Sequence, residues 1–349
     1  MRFQFTEDQR KFQESFRNFL EKECTPALIR ALWATQTGRS PDLWAKLAEL
    51  GILGLLAPEE YGGLGMTEVD LVLLLEEAGR AALPEPLLET AAVGVPLLCG
   101  LGSAALCEQW LPQVTAGKAI ITVGHELNPF VTDAHVAGLL LLPHGDEVHA
   151  VTCERLRLEA QPCNDPSRRL FYVDWQPSAA TRCVHGEAAR RLLAAAFDRA
   201  ALACAAELLG ICQQMTDMAI RYAAQREQFG KPIGAFQAIK HMLANVVVRL
   251  EFARPVVYHA AYSVAHDSAT RAVDVSHAKL AASQAAVFGA KVAMQVHGAI
   301  GYTWEQDLQI WMKRAWALDA AWGSNAWHRA RVASAVLDAP TLPETFAAN

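Results

Sequence analysis

The chain has 349 residues, with 31 Lys and Arg against 37 Asp and Glu, which gives a formal charge of −6. That weak acidity argues against nucleic acid or an anionic membrane as the main partner, because phosphate binding needs a basic face. With 52% hydrophobic and 19% charged residues the composition excludes a disordered chain, and it supplies enough apolar material for two or three packed domains.

The first element is announced at Thr6-Glu-Asp-Gln9, which has capping-box form, followed by Phe12, Phe16, Phe19 and Leu20 on one helical face. Helical patterns continue through Leu43 to Leu50 and Glu68 to Ala82, and the three glycines within residues 58–65 mark a loop between them. Residues 1–117 therefore read as an all-helical domain. From Lys118 the pattern becomes short, apolar or alternating: 119–123, 136–142, 147–152 and 170–174 are expected to be strands. This second domain, 118–185, is too short for a doubly wound nucleotide-binding sheet and carries no G-x-G-x-x-G or Walker-type loop. From residue 186 the chain is rich in Ala and Leu, and long helices are expected at 187–224, 236–267, 272–296 and 307–337. Four long helices with short connections indicate an antiparallel bundle for the third domain, 186–349. The expected fold class is mainly α with a small central β domain.

The longest apolar runs, such as 137–143, fall short of the ~20 residues a membrane helix requires, and the N-terminus is polar from Thr6 onward. No signal or anchor is visible, so a cytoplasmic protein without a membrane partner is expected. Eight cysteines without a C-x-x-C pair read as reduced, mostly buried thiols. Eleven histidines without H-x-x-x-H or H-E-x-x-H spacing suggest no metal site.

Three segments carry a family resemblance. Tyr222-Ala-Ala-Gln-Arg226-Glu-Gln228-Phe229-Gly230-Lys-Pro-Ile233-Gly-Ala-Phe236-Gln-Ala-Ile239 closes one bundle helix, turns and opens the next. Gln295-Val-His-Gly298-Ala-Ile-Gly301-Tyr302-Thr303 follows the third, and 47–65 supplies an N-terminal match. Together with the order of domains, these resemble the acyl-CoA dehydrogenases over nearly the whole chain. The resemblance implies FAD as cofactor and α,β-dehydrogenation of an acyl-CoA thioester as the reaction, in fatty-acid or steroid degradation. It assigns Arg226 to the FAD pyrophosphate of a neighbouring subunit, where a guanidinium fork matches two phosphate oxygens. Gln228 and Phe229 stand beside it, and Ile233, Phe236 and Ile239 line the flavin's environment. Gln295 and Gly298 would contact the adenosine end of the same cofactor, since glycine lets backbone approach closely. Ala299 replaces a glycine common in the family.

The family reaction needs a carboxylate to remove the α-proton while the β-hydrogen leaves as hydride. In the commonest branch a Glu precedes Gly-Thr near the last helix, and here Trp322 precedes Gly323-Ser324. A second branch places the Glu about ten residues before a glycine that matches Gly210, and that position is Ala200. Asp198 and Asp319 lie nearby, but two or three residues along a helix turn a side chain by roughly 200 to 300°. Asp319 is the fallback base. His125-Glu-Leu-Asn-Pro129 replaces the family's Thr-Glu-Pro flavin contact, and no Trp-Ile-Thr segment follows, Trp175 reading as a core residue. This asymmetry resembles the β-type, Glu-lacking subunit of heteromeric acyl-CoA dehydrogenases, including those of steroid degradation. It implies a Glu-bearing paralogue as hetero-oligomeric partner and an electron-transfer flavoprotein for the holoenzyme. The alternatives are a self-sufficient homo-oligomeric dehydrogenase with an unrecognised base, or a non-enzymatic scaffold. Trp304, Trp311, Trp316, Trp322 and Trp327 are expected to anchor an oligomer interface.

Overall fold

The computed structural model describes residues 4–338, so 339–349, the last part of the expected third domain, lie outside the described residues. The chain opens as anticipated: α1 (Glu7–Glu23) is capped by Thr6, whose backbone N–H donates to Gln9 Oε1 at 2.8 Å while Gln9 N–H donates to Thr6 Oγ1 at 3.2 Å. Then come α2 (Pro26–Trp33), α3 (Pro41–Glu49), a 3₁₀ turn at Glu59–Tyr61 in the glycine-rich loop, and α4 (Glu68–Arg80). A buried π-helical stretch, Leu88–Gly94, runs directly into α5 (Val95–Gly100), and α6 (Ala104–Thr115) ends the helical series.

The strands follow. β1 (Ile121–Val123), β3 (Leu139–His144), β4 (Glu147–Thr152) and β7 (Arg182–His185) form one sheet in the order β1-β3-β4-β7, with β1 parallel to β3 and the other pairs antiparallel. β2 (Val131–Thr132), β6 (Leu170–Asp174) and β5 (Arg157–Gln161) form a second. The leucine run in β3 is continuous because both faces are covered. Leu139 and Leu141 join the main core, whereas Leu140 and Leu142 join a smaller one with Val131, Ala134, Ala137 and Val151. Strands β2, β5 and β7 were not expected. β2 is only two residues long, and β5 and β7 are mostly exposed with charged residues in the ladder, so neither length nor hydrophobic alternation reveals them.

The bundle contains α7 (Gly186–Gln225), α8 (Gln237–Ala265), α9 (Arg271–His297), α10 (Leu308–Ala320) and α11 (Asn325–Leu337). One expected helix, 307–337, is thus two. Trp322 and Gly323 both take positive φ, 53° and 93°, which breaks the ladder, and Ser324 Oγ then accepts the Trp327 N–H to cap α11. Every residue of α7 from Ala200 to Cys212 is buried, which is why the segment is rich in alanine and lacks an amphipathic period. Among the described residues no helix is long and apolar enough to cross a membrane, and no group of His, Cys, Asp or Glu is placed to hold a metal ion. All eight cysteines are free; Cys24, Cys107, Cys204 and Cys212 are buried and the other four half-buried.

α4 crosses α7 at a pair of glycines. A Cβ on Gly210 would stand 1.8 Å from the Glu76 carbonyl oxygen, and one on Gly79 would stand 2.0 Å from that of Glu207. Glu76 is held from the other side by Arg254 and by the Tyr258 hydroxyl, which donates at 2.6 Å, so α4, α7 and α8 are locked together. Alanine for glycine in a helix interior ordinarily gains about 1 kcal/mol. Here we expect Gly210→Ala to destabilise by about 1 to 3 kcal/mol, because the added methyl meets backbone that cannot step aside. A denaturation midpoint that rises in the variant would show that the helices can slide apart at little cost.

Candidate functional site

The motif at the end of α7 forms a projecting hairpin. Arg226 leaves the helix with extended backbone, β8 (Glu227–Gln228) pairs with β9 (Lys231–Pro232), and the Ile233 N–H returns to the Arg226 carbonyl at 2.8 Å. Phe229 and Gly230 make the turn at φ 54° and 78°. A phenylalanine at positive φ is uncommon, and this one is 92% exposed, so neither backbone preference nor burial explains it within the chain. Its ring stands edge-on to Phe236 at 6.1 Å, and the Lys231 ammonium lies 4.5 Å over the Phe236 ring. Ile233 and Ile239 are half-buried against the core. Gln228 and Arg226 are exposed, and among the described residues no carboxylate lies within ion-pair distance of the Arg226 guanidinium.

The second motif reaches the same end of the bundle. His297, the last residue of α9, stacks on Tyr222 of α7 at 4.5 Å and 27°, one turn before Arg226. Its Nδ1 takes the proton-donor role to the Ala293 carbonyl at 2.7 Å, and burial lowers its pKa, so the ring is neutral. Gly298 follows at φ 64° and ψ −143°, a conformation open to glycine, and a Cβ there would meet nothing within 4 Å. The Gln295 amide is exposed beside it. This end of the bundle therefore offers an unpaired guanidinium, two exposed amides, exposed rings and an open glycine backbone. That donor set fits a pyrophosphate and its flanking rings approaching from outside the chain.

The two positions at which the resemblance would place a base are closed. Ala200 is fully buried on α7, and Trp322 is 3% exposed. The Trp322 indole packs with His125 at 5.7 Å and Phe197 at 6.2 Å; His125 also meets Phe197 at 5.0 Å, and Trp327 meets Phe197 at 4.7 Å. His328 fixes the break after α10: its Nε2–H donates to the Trp322 carbonyl at 2.9 Å and its Nδ1 accepts from Ser276 Oγ at 3.0 Å. Burial drives His125 and His328 each down to about 4, so both are neutral near pH 7 and neither is poised to exchange a proton. The Asn128 side-chain oxygen accepts the Trp322 backbone N–H at 3.3 Å, tying the strand region to the same plug. Beside it lies an open hollow of about 390 Å³ lined by Phe130, Arg168, Leu170, Trp316 and Ala320.

Both nearby carboxylates are engaged within the chain. Asp198 has a fully buried side chain that accepts from Arg271 at 2.9 Å and Arg331 at 2.8 Å. Asp319 accepts from the Asn325 amide at 2.7 Å, while Lys279, fully buried on α9, donates to the Leu318 and Asp319 carbonyls at 2.8 and 3.0 Å and caps α10. The tryptophans divide. Trp311 and Trp322 are core residues of this chain, contrary to the expected interface role, because the Trp311 indole N–H donates to the Arg80 carbonyl and Trp322 fills the plug. Trp304 and Trp316 are exposed at 64% and 41%. Trp175 packs on the small sheet core beside His149 at 5.1 Å. Sequence reasoning missed the plug's other members. Phe197 could have been found, since it lies one turn from Ala200 on the same helix, whereas His125 and His328 share no local spacing with Trp322.

Comparison with known proteins identifies the family. A family model described as the acyl-CoA dehydrogenase N-terminal domain matches residues 6–118, and one for the acyl-CoA dehydrogenase C-terminal domain matches 190–337. The acyl-CoA dehydrogenase IpdE2 of Mycolicibacterium smegmatis is 34% identical over 312 residues, 89% of this chain and 93% of that protein. The ChsE4–ChsE5 complex of Mycobacterium tuberculosis contains a chain that superposes with a TM-score of 0.87 at 25% identity, over 98% of this chain and 100% of that one. The Tcur3481–Tcur3483 steroid ACAD shares the fold at a TM-score of 0.84 and 24% identity, over 95% and 98%. The acyl-CoA dehydrogenases use FAD to oxidise acyl-CoA thioesters, and by both halves of its length this chain belongs to that family.

Proposed function

We propose that this chain is the β-type subunit of a heteromeric acyl-CoA dehydrogenase, with a helical domain at 1–117, a strand domain at 118–185 and a bundle domain from 186, and that it completes an FAD site whose catalytic carboxylate comes from a paralogous partner. The observation that carries the reading is the contrast between the interior and the C-terminal end of α7. The two positions to which the resemblance assigns a base hold Ala200, fully buried, and Trp322, packed with His125 and Phe197, while at Arg226 a guanidinium and its neighbours stand exposed and unpaired. A chain that had merely decayed into a scaffold would have no reason to hold Phe229 in a left-handed conformation on the surface.

Bound FAD supplies a hydride acceptor for the β-hydrogen of the acyl-CoA. This chain's residues contribute binding and orientation. Arg226 would grip two pyrophosphate oxygens in fork geometry, Gln228 and Gln295 would donate amide hydrogens, and the Phe229 and Phe236 rings would shield the cofactor from water. Gly298 would leave backbone N–H groups accessible to the adenosine end. The partner would hold the thioester and take its α-proton, and an electron-transfer flavoprotein would reoxidise the complex. Exposed Trp304 and Trp316, with Phe252 at 75% exposure on α8, supply aromatic surface for a subunit interface.

Two outcomes are expected. Arg226→Ala in the assembled complex should weaken FAD retention by about 2 to 4 kcal/mol, on the order of 30- to 1,000-fold in Kd, without unfolding the subunit. Full flavin content after that change, measured by absorbance of the gel-filtered complex, would show the arginine to be a helix-end charge. The isolated chain, supplied with excess FAD, an acyl-CoA panel and an artificial electron acceptor, should show no turnover, because loss of a general base alone costs ~10² to 10⁴ in rate. Trp322→Glu should not rescue it, since the His125–Phe197 plug still occupies the position a bound ring would need. Turnover above about 1 s⁻¹ in the isolated chain would mean that it carries its own base, and Asp319→Asn would be the first variant to examine.

A further inference from the structure

Two rings join the segments from which the cradle is built. Tyr222 stands on the last turn of α7 and His297 is the final residue of α9, and their rings lie near parallel, 27° apart, with centroids at 4.5 Å. Both are withdrawn from solvent, His297 at 3% exposure and Tyr222 half-buried against the core. The bond from His297 Nδ1–H to the Ala293 carbonyl at 2.7 Å gives the imidazole a single orientation.

Each ring-bearing residue also anchors the turn that follows it. The Tyr222 carbonyl accepts the Arg226 N–H at 2.8 Å and the Arg226 carbonyl accepts the Ile233 N–H at 2.8 Å, so backbone bonds run from Tyr222 to the hairpin's return strand. That return lies close on α7, because a Cβ on Gly234 would stand 3.1 Å from the Ala223 carbonyl oxygen. The 3₁₀ turn Gly298–Tyr302 folds back on His297 in the same way: a Cβ on Gly301 would stand 3.2 Å from the His297 Cβ. Among the described residues no hydrogen bond joins 226–232 to 295–303, so the two turns are registered to each other through packing at their roots.

We propose that Tyr222 and His297 are positioning residues for the cofactor: their stack sets the spacing of the Arg226 hairpin and the Gly298 turn before FAD arrives. The inference rests on the reading of this end of the bundle as an FAD cradle. Its physical basis is preorganisation. A ligand that bridges two exposed turns otherwise has to order both, and that ordering subtracts from its affinity. A stacked pair suits the task because it fixes a distance and a plane at once.

Two measurements test the role. In the full chain alone, hydrogen exchange at the bonded amides of Arg226, Ile233, Gly298 and Thr303 should quicken together in His297→Ala, by about 3- to 10-fold, the range that an aromatic pair supports. His297→Phe keeps a ring on Tyr222 and should exchange like the parent. Unchanged exchange at Arg226 and Ile233 in His297→Ala would overturn the proposal, and so would faster exchange spread evenly over the chain with α4 included, which marks ordinary core damage. In the assembled complex, the Kd for FAD should rise by a similar factor in His297→Ala and return to the parent value in His297→Phe. A phenylalanine variant as weak as the alanine variant would overturn the stack as the cause. Arg226→Ala is measured beside them. Flavin lost from Arg226→Ala but held by His297→Ala at the parent's affinity would overturn the positioning role alone, whereas flavin held at full affinity by both would overturn the cradle reading and the positioning role with it.

Discussion

The close crossing of α4 over α7 at Gly79 and Gly210 is the constraint on which the rest of the molecule depends. Backbone meets backbone there with no side chain between, so α7 has one rotation and one height relative to the N-terminal helices. Everything of functional interest is then placed by its position along that helix. Phe197 falls in the aromatic plug with ion-paired Asp198 next to it, Glu207 falls just before the crossing, and Arg226 is carried to the far end. The distance from Ala200 to Arg226 is about 39 Å at 1.5 Å per residue. One helix thus presents a closed region in its interior and an open C-terminal end, too far apart to serve one small-molecule centre.

At residue 322 the chain carries an indole where the resemblance would place a carboxylate. A buried acid without a partner would have to be neutralised or compensated. An indole at the same position needs only shape and contact, and Trp322 finds both with Phe197, His125 and Trp327. The two histidines in this cluster are held neutral by burial, so the plug carries no charge of its own; the arginines around it are turned to Asp198. Such a site is stable because it is inert. At the open end the economics are reversed: Phe229 and Arg226 are exposed, conformationally constrained and unsatisfied within the chain, a state that makes physical sense for surface that another molecule covers.

Much of this was legible in the sequence because it is encoded locally. The capping box at Thr6, the lengths of α7, α8 and α9, the hairpin after Arg226 and the missing carboxylates at 200 and 322 are all short-range features. The break between α10 and α11 was hidden because apolar residues continue through it, and only the positive φ of Trp322 and Gly323 ends the helix. Strands β5 and β7 were hidden because a ladder needs backbone pairing rather than apolar side chains. The plug and the stack of Tyr222 on His297 were not legible at all. Their members come from segments as distant as His125 and His328, or Tyr222 and His297, and tertiary packing alone brings them together.

The central claim is a division of labour between an emptied site and an offered cradle, and flavin content measures it most directly. The chain should be purified alone and again after co-expression with a Glu-bearing paralogue, and its visible spectrum recorded each time. The account predicts a colourless protein alone and a yellow complex holding one flavin per pair of unlike chains. A full equivalent of FAD bound to the isolated chain would contradict it, because the chain would then complete a flavin site without a partner.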